Sequence, residues 1–153
     1  MKQVAEFIST LAKSFVGFIV GQGKDALLQG LLCGLGMKLL GLPYPVFVGL
    51  LVGVLALIPV AGPLLGGMVG TVIMLLVAPK QVLVFVIFFL LLQLVDEYII
   101  YPQVVGKSVG LPGIWVLLIV VIGGALFGIW GLLLGVPLAA SIYKMLRGSK
   151  KTE

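Results

Sequence analysis

Gln93, Asp96 and Glu97 stand at i, i+3 and i+4 in an otherwise apolar stretch, so on a helix the amide shares a face with both acids. Acids in such a setting can hold a proton or a cation. At the bilayer centre one carboxylate costs about 2.5–3.5 kcal/mol on insertion scales, so two neighbours need water, a counter-ion or the headgroup region. At ~1.5 Å per residue, Asp96 lies about 22 Å along the helix from Gln81, toward one end of the stretch. Two acids at headgroup level are therefore the plain alternative. Lys107 and Ser108 follow between Gly106 and Gly110, where they could meet an anionic or hydroxyl-rich solute. A topology-setting loop lysine is the competing reading.

The chain contains no histidine, which removes imidazole triads, proton relays and histidine metal sites. Its single cysteine, Cys33, sits among apolar residues and reads as a small buried hydrophobe. Neither a metal site, a cofactor site nor a catalytic constellation emerges, and no enzyme is expected.

The elements that must position these groups follow from composition. Of 153 residues, 61% are hydrophobic and 10% charged, and the mean hydropathy is +1.32. A soluble domain carries about 25% charged residues, so a water-soluble globule is excluded, and disorder would require the reverse balance. The net charge is +5, but the basic residues are spread along the chain without interleaved aromatics, so no nucleic-acid partner is expected. The lipid bilayer is the expected surrounding.

Residues 2–19 alternate apolar Val4, Phe7, Ile8, Leu11, Phe15 and Phe18 with polar Gln3, Glu6, Thr10 and Lys13 at helical spacing. This predicts an amphipathic interfacial helix over 1–23, or one packed on the same helix of a second subunit. A single transmembrane domain over 24–147 and a basic cytoplasmic tail over 148–153 complete the expected organisation. Within it, 26–42 reads as one crossing. Residues 45–58 and 64–78 are apolar segments separated by Ile58-Pro59-Val60-Ala61-Gly62-Pro63, which must break a helix. They form either two short crossings or one re-entrant hairpin. The clearest span is 81–101, bounded by Lys80 and Pro102.

Residues 114–146 would measure about 50 Å as one helix, longer than a hydrocarbon core of about 30 Å. With Gly123, Gly124, Gly128, Gly131, Gly135 and Pro137 inside, they predict a second hairpin folded near 128–131. Lys2, Lys13 and Lys24 flank the start, and Lys144, Arg147, Lys150 and Lys151 the finish. Both termini are therefore expected in the cytoplasm, with an even number of crossings in a cell (inner) membrane. Lys80 is the dissenting charge.

An internal match at a spacing of 69 residues pairs Gly41-Leu42-Pro43 with Gly110-Leu111-Pro112, Ala56-Leu57 with Ala125-Leu126, and Leu64-Leu65-Gly66 with Leu133-Leu134-Gly135. Each unit would cross, turn at Gly-Leu-Pro and enter a hairpin, and the two would do so in opposite directions. Inverted repeats with broken helices are a carrier design, because interrupted backbone offers polar groups and half-helix dipoles near the midplane. At the hairpin tips, Pro59, Gly62, Pro63, Gly128 and Gly131 are expected to act through backbone geometry, or simply through close helix packing.

From Gly21-Gln22 to about Ala140 the chain resembles the C-terminal half of the autoinducer-2 exporter family, the PerM-like permeases. Ile58-Pro59-Val60-Ala61-Gly62-Pro63, Pro102, Val105-Gly106-Lys107-Ser108-Val109, Leu126-Phe127-Gly128 and Gly135-Val136-Pro137-Leu138 carry the resemblance through their order and spacing. It implies export of a small signalling molecule or, in other members, sodium–proton exchange, and it favours Glu97 as the functional acid. Members are typically about twice as long, which implies a homo-oligomer or dispensable missing helices. Where the family often has a histidine, this chain has Leu111.

The expectation is thus an all-α polytopic membrane protein with broken or re-entrant hairpins and a possible inverted repeat. It would act as a secondary carrier for a small polar solute or cation, coupled to Na+ or H+ through Asp96 and Glu97. An oligomeric channel or a non-transporting membrane scaffold subunit are the alternatives.

Overall fold

A computed structural model describes residues 1–107 and 110–149, and among these every regular element is helical. The helices are α1 (Lys2–Leu39), α2 (Pro45–Leu55), α3 (Ala61–Val77), α4 (Val82–Val95), α5 (Gly113–Phe127) and α6 (Ile129–Ser149), with a short 3₁₀ turn at Pro79–Gln81 before α4. The protein is an all-α membrane protein: three helical stretches, Lys2–Leu39, Pro79–Gly106 and Ile129–Gly148, are long and apolar enough to cross a bilayer. At ~1.5 Å per residue α2 is only about 16 Å long, and α3 and α5 are about 25 and 22 Å, all short of a ~30 Å core.

α1 runs unbroken where the sequence separates a surface segment from a crossing, because Gly21-Gln22-Gly23 contains no proline and every backbone donor can stay in the ladder. The chain nevertheless divides into two compact units. One joins Met1–Gln22 to the chain from Pro102 onward, and the other is Gly23–Tyr101.

Within Gly23–Tyr101, glycines let helices approach backbone to backbone. A Cβ on Gly30 would lie 2.9 Å from the Gly49 carbonyl oxygen, and one on Gly49 would lie 2.8 Å from that of Gly30, so α1 and α2 interlock through Gly30, Gly34, Gly49 and Gly53. Gly67 and Gly70 of α3 receive the Phe89 and Phe85 rings of α4, which stack with centroids 5.6 Å apart. Cys33, Met37, Val48, Val52 and Met74 complete this core. Cys33 is a buried free thiol, as its apolar neighbours imply.

Both proline and glycine clusters interrupt their helices. Between α2 and α3, Val60 adopts φ 64° and ψ −53°, and the Ala61 N–H donates to the Pro59 carbonyl at 2.7 Å. That is a γ-turn of the strained hand on a β-branched residue. Gly62 follows, packed so closely that a Cβ would strike the Leu55 carbonyl oxygen. Between α5 and α6, Gly128 alone makes the turn at φ 63° and ψ −138°, and a Cβ on Gly131 would strike the Gly123 carbonyl oxygen. Pro137, by contrast, is accommodated inside α6, and its carbonyl accepts the Ser141 hydroxyl at 2.8 Å.

The matched Gly-Leu-Pro triplets close their helices alike. Gly41 and Gly110 have φ of 68° and 73°, and Leu42 and Leu111 donate to the carbonyls of Met37 and Gly106 at 2.9 and 3.1 Å, five residues back in each case. These are Schellman-type terminations in which glycine takes the left-handed position. Lys38 and Lys107 also correspond at the same spacing of 69. Shifted by 69, α2 and α3 fall within α5 and α6.

One departure concerns the site directly. Pro102 does not end the helix that contains α4: the chain continues through two π-helical turns, Asp96–Ile100 and Pro102–Gly106. The proline supplies no N–H and its ring crowds the carbonyl a turn earlier, and widening to five-residue hydrogen bonds relieves the crowding. Tyr101 N–H accordingly donates to the Asp96 carbonyl.

Candidate functional site: a buried polar cluster in the Gly23–Tyr101 unit

Asp96 opens the first π turn and is 5% exposed. The Gln29 amide of α1, fully buried, donates through Nε2 to Asp96 Oδ2 at 2.8 Å and more weakly to Gln93 Oε1 at 3.4 Å. One turn before Gln29, Asp25 is 2% exposed and brings its carboxyl within hydrogen-bonding reach of Asp96. The Tyr101 phenol lies within electrostatic range of both carboxyls. Four polar side chains from two helices therefore meet inside an otherwise apolar bundle.

The cluster is incompletely satisfied. Asp25 Oδ1, Asp96 Oδ1, Gln29 Oε1 and Gln93 Nε2 are all buried without a hydrogen-bond partner. Each such atom ordinarily costs about 1–3 kcal/mol where neither water nor a ligand reaches it. Two bare carboxylates in contact repel, so the pair needs a proton or a cation.

Gln93 also faces a groove of about 520 Å³ between α3 and α4, lined by Pro63, Gly67, Thr71, Val86 and Phe89 among others. Thr71 donates its hydroxyl to the Gly67 carbonyl at 2.7 Å. The groove thus has a hairpin-tip proline at one place and the cluster's outermost amide at another. A second groove of similar size, about 510 Å³, follows the glycine seam of α1 and α2, with Lys38 the one charged residue among the described residues that line it.

The structure brings Gln93 and Asp96 together and leaves Glu97, one residue on, exposed. Lys107 is exposed on the far side of the second π turn, and Ser108 lies outside the described residues. Pro59, Gly62 and Gly131 are buried, Pro63 is half-buried and Gly128 is exposed at its turn.

Asp25 stands beside Lys24 in the sequence, where the two would make an interfacial pair, but Lys24 is exposed and Asp25 turns inward to Asp96. The missed signal was its i, i+4 spacing to Gln29, the same one-face relation that singled out Gln93 and Glu97. In the other unit, the amphipathic start of α1 buries Ser14 and Phe18, and Lys144 reaches the Ser14 hydroxyl at 3.5 Å.

Comparison with known proteins accords with this architecture. The profile of the AI-2E family transporter matches residues 1–150. YrrI of Bacillus subtilis (strain 168), a transport protein by inference, is 34% identical over 145 residues, which cover 95% of this chain and 41% of YrrI. The protein sll0063 of Synechocystis sp., whose transport role is likewise inferred, is 35% identical over 144 residues, covering 92% of this chain and 35% of its own length. The chain thus spans about two-fifths of the length of these curated relatives. No solved structure matches it. The chain belongs to the AI-2E transporter family.

Proposed function

We propose that the chain works as a secondary carrier, or as the working part of one, moving a small polar solute or cation with proton or sodium coupling. The observation that carries this reading is the Asp25–Gln29–Gln93–Asp96 cluster, four polar side chains on helices long enough to cross a membrane, with unpaired donors and acceptors among them. A membrane anchor has no use for such a cluster, whereas a carrier needs polar groups at depth that a travelling solute can satisfy. In this reading Gln93 meets the solute from the α3–α4 groove, and Asp96 lies behind it. Glu97, Lys107 and Ser108 are proposed as the groups a solute meets outside the cluster.

Support for movement comes from the hairpins. α2 with α3, and α5 with α6, are broken at Pro59, Gly62 and Pro63 and at Gly128 and Gly131, and the short arm of each is less than a bilayer core in length. We read both as re-entrant hairpins, and the two as an inverted repeat, rocking between accessible states. Residues 24–147 are read as the membrane domain and 148–153 as a cytoplasmic tail, with both termini inside an inner membrane, and the first 23 residues as the continuation of the first crossing in the unbroken α1. A homo-oligomer is proposed as the assembled form.

Reconstitution into proteoliposomes tests this reading. A carrier gives saturable flux of a labelled polar solute or of sodium that responds to an imposed ion gradient. Unitary conductance steps in a planar bilayer would make it a channel instead, and neither flux nor conductance would leave a scaffold.

A further inference from the structure

We propose that the groove between α1 and α2 is a docking site for one acyl chain of an anionic phospholipid, whose headgroup phosphate meets Lys38. The groove holds about 510 Å³ and runs along α1 from Gly23 to Lys38, roughly 22 Å at ~1.5 Å per residue. Where Gly30 and Gly49 meet, a Cβ on either would lie within 2.9 Å of the other's carbonyl oxygen, so nothing passes between the two helices. The free space is the crevice beside this contact, bordered by Leu27, Leu31, Leu50 and Val54, each more than half exposed. Spread over that length, the volume has a cross-section of about 23 Å², against about 80 Å² or more for a helix ~10–12 Å across. It seats a hydrocarbon chain and is too narrow for a third helix.

The occupant's charge follows from how the groove ends. Lys38 stands in the last turn of α1 and is exposed. Among the described residues that line the groove it alone is charged, and no carboxylate there opposes it. Its ammonium is not needed to close α1, because the N–H groups of Leu40, Gly41 and Leu42 donate to the carbonyls of Gly36, Lys38 and Met37 at 3.0, 3.2 and 2.9 Å. α2 begins at Pro45 without a side-chain cap, and Pro45 and Val46 line the groove together with Lys38. A lysine ammonium and the positive end of a helix dipole thus serve one groove, which favours a headgroup of net negative charge over a zwitterionic one.

The level in the bilayer agrees. Tyr44, just before α2, is 59% exposed and is the kind of side chain that sits among headgroups. From Lys38 the apolar lining continues for more than half of a ~30 Å hydrocarbon core, the depth of one leaflet, so a chain anchored there stays in the groove along its length. Asp25, Gln29, Gln93 and Asp96 do not line this groove, and the inference is independent of the carrier reading.

Native mass spectrometry of the full chain in detergent, titrated with dioleoyl phosphatidylglycerol or dioleoyl phosphatidylcholine, tests the charge. One phosphatidylglycerol per chain is expected to bind about fivefold or more tighter than phosphatidylcholine, the factor that one lysine facing an anionic headgroup implies. Lys38→Gln removes the preference, Lys80→Gln leaves it intact, and inorganic phosphate does not displace the lipid. The position of the chain is read on the wild type, so this measurement stands if a variant fails to fold. In phosphatidylcholine vesicles containing a phosphatidylglycerol with a photoactivatable diazirine on one acyl chain, adducts are expected on residues 27–35 and 46–57, and unlabelled phosphatidylglycerol suppresses them.

Equal binding of the two lipids by the wild type would overturn the proposal, as would a preference that survives Lys38→Gln, displacement by inorganic phosphate, or adducts spread evenly over the apolar helices. Leu50→Cys chains that cross-link to one another in the same vesicles would place a second copy in the groove and overturn it as well.

Discussion

The Gln29 amide donates to the Asp96 carboxylate at 2.8 Å across a sequence separation of 67 residues, tying α1 to the point where α4 widens into a π turn. A polar bond between two helices in an apolar bundle is worth keeping only if its partners cannot be replaced by packing, and here both partners also carry an unpaired oxygen. In the proposed carrier, that combination is what distinguishes a working polar cluster from a merely structural one.

Gln29→Leu fills a similar volume but leaves Asp96 Oδ2 without its donor. The unfolding midpoint in detergent should fall, by the equivalent of about 1–3 kcal/mol. A Gln29→Leu variant as stable as the wild type would mean that the Asp96 carboxyl is satisfied by other means.

Gly49→Val should destabilise by about 1–3 kcal/mol or more, because its first carbon alone would lie 2.8 Å from the Gly30 carbonyl oxygen and 2.9 Å from Gly34 Cα. The measurement is a thermal melt monitored by circular dichroism. Tolerance of valine would show that α1 and α2 do not interlock at this seam.

Gly128 and Gly23 make a matched pair, since a Cβ on either would have no atom within 4 Å, yet only Gly128 has positive φ. Gly128→Ala should therefore destabilise by about 1–3 kcal/mol through backbone strain alone. Gly23→Ala, inside α1, should stabilise by roughly 0.5–1 kcal/mol through helix propensity. Equal effects from the two would contradict the turn geometry.

Val60→Gly should stabilise by about 1 kcal/mol, because glycine adopts φ 64° without the penalty that a β-branched residue incurs. If the strain at this tip serves movement of the hairpin, the same variant should alter flux while raising the unfolding midpoint, and the two are measured on one preparation.

Much of this architecture was legible from residue types. Proline removes a backbone donor wherever it stands, so the interruption between α2 and α3 was visible in Pro59 and Pro63, and the turn at Gly128 in a run of glycines too long to span as one rod. The glycine seams were legible as small residues four apart.

Pro102 misled because a helix can absorb one proline by widening its hydrogen bonds, an option that local sequence does not reveal. Asp25 misled for a different reason: its neighbour Lys24 offered an obvious partner, while the true one stands 71 positions later on another helix. Long-range pairing of polar groups depends on how α1 and α4 pack, and glycine contacts such as Gly36 against Phe88 fix that packing only in three dimensions.

The most direct test of the account compares gradient-driven uptake of sodium and of labelled small polar solutes into proteoliposomes containing the wild type, Asp96→Asn or Lys80→Gln. The account predicts saturable, gradient-dependent uptake by the wild type and Lys80→Gln, and a loss of about tenfold or more in Asp96→Asn, matching removal of one charged partner worth about 1.5–3 kcal/mol. Uptake by Asp96→Asn equal to that of the wild type would contradict it.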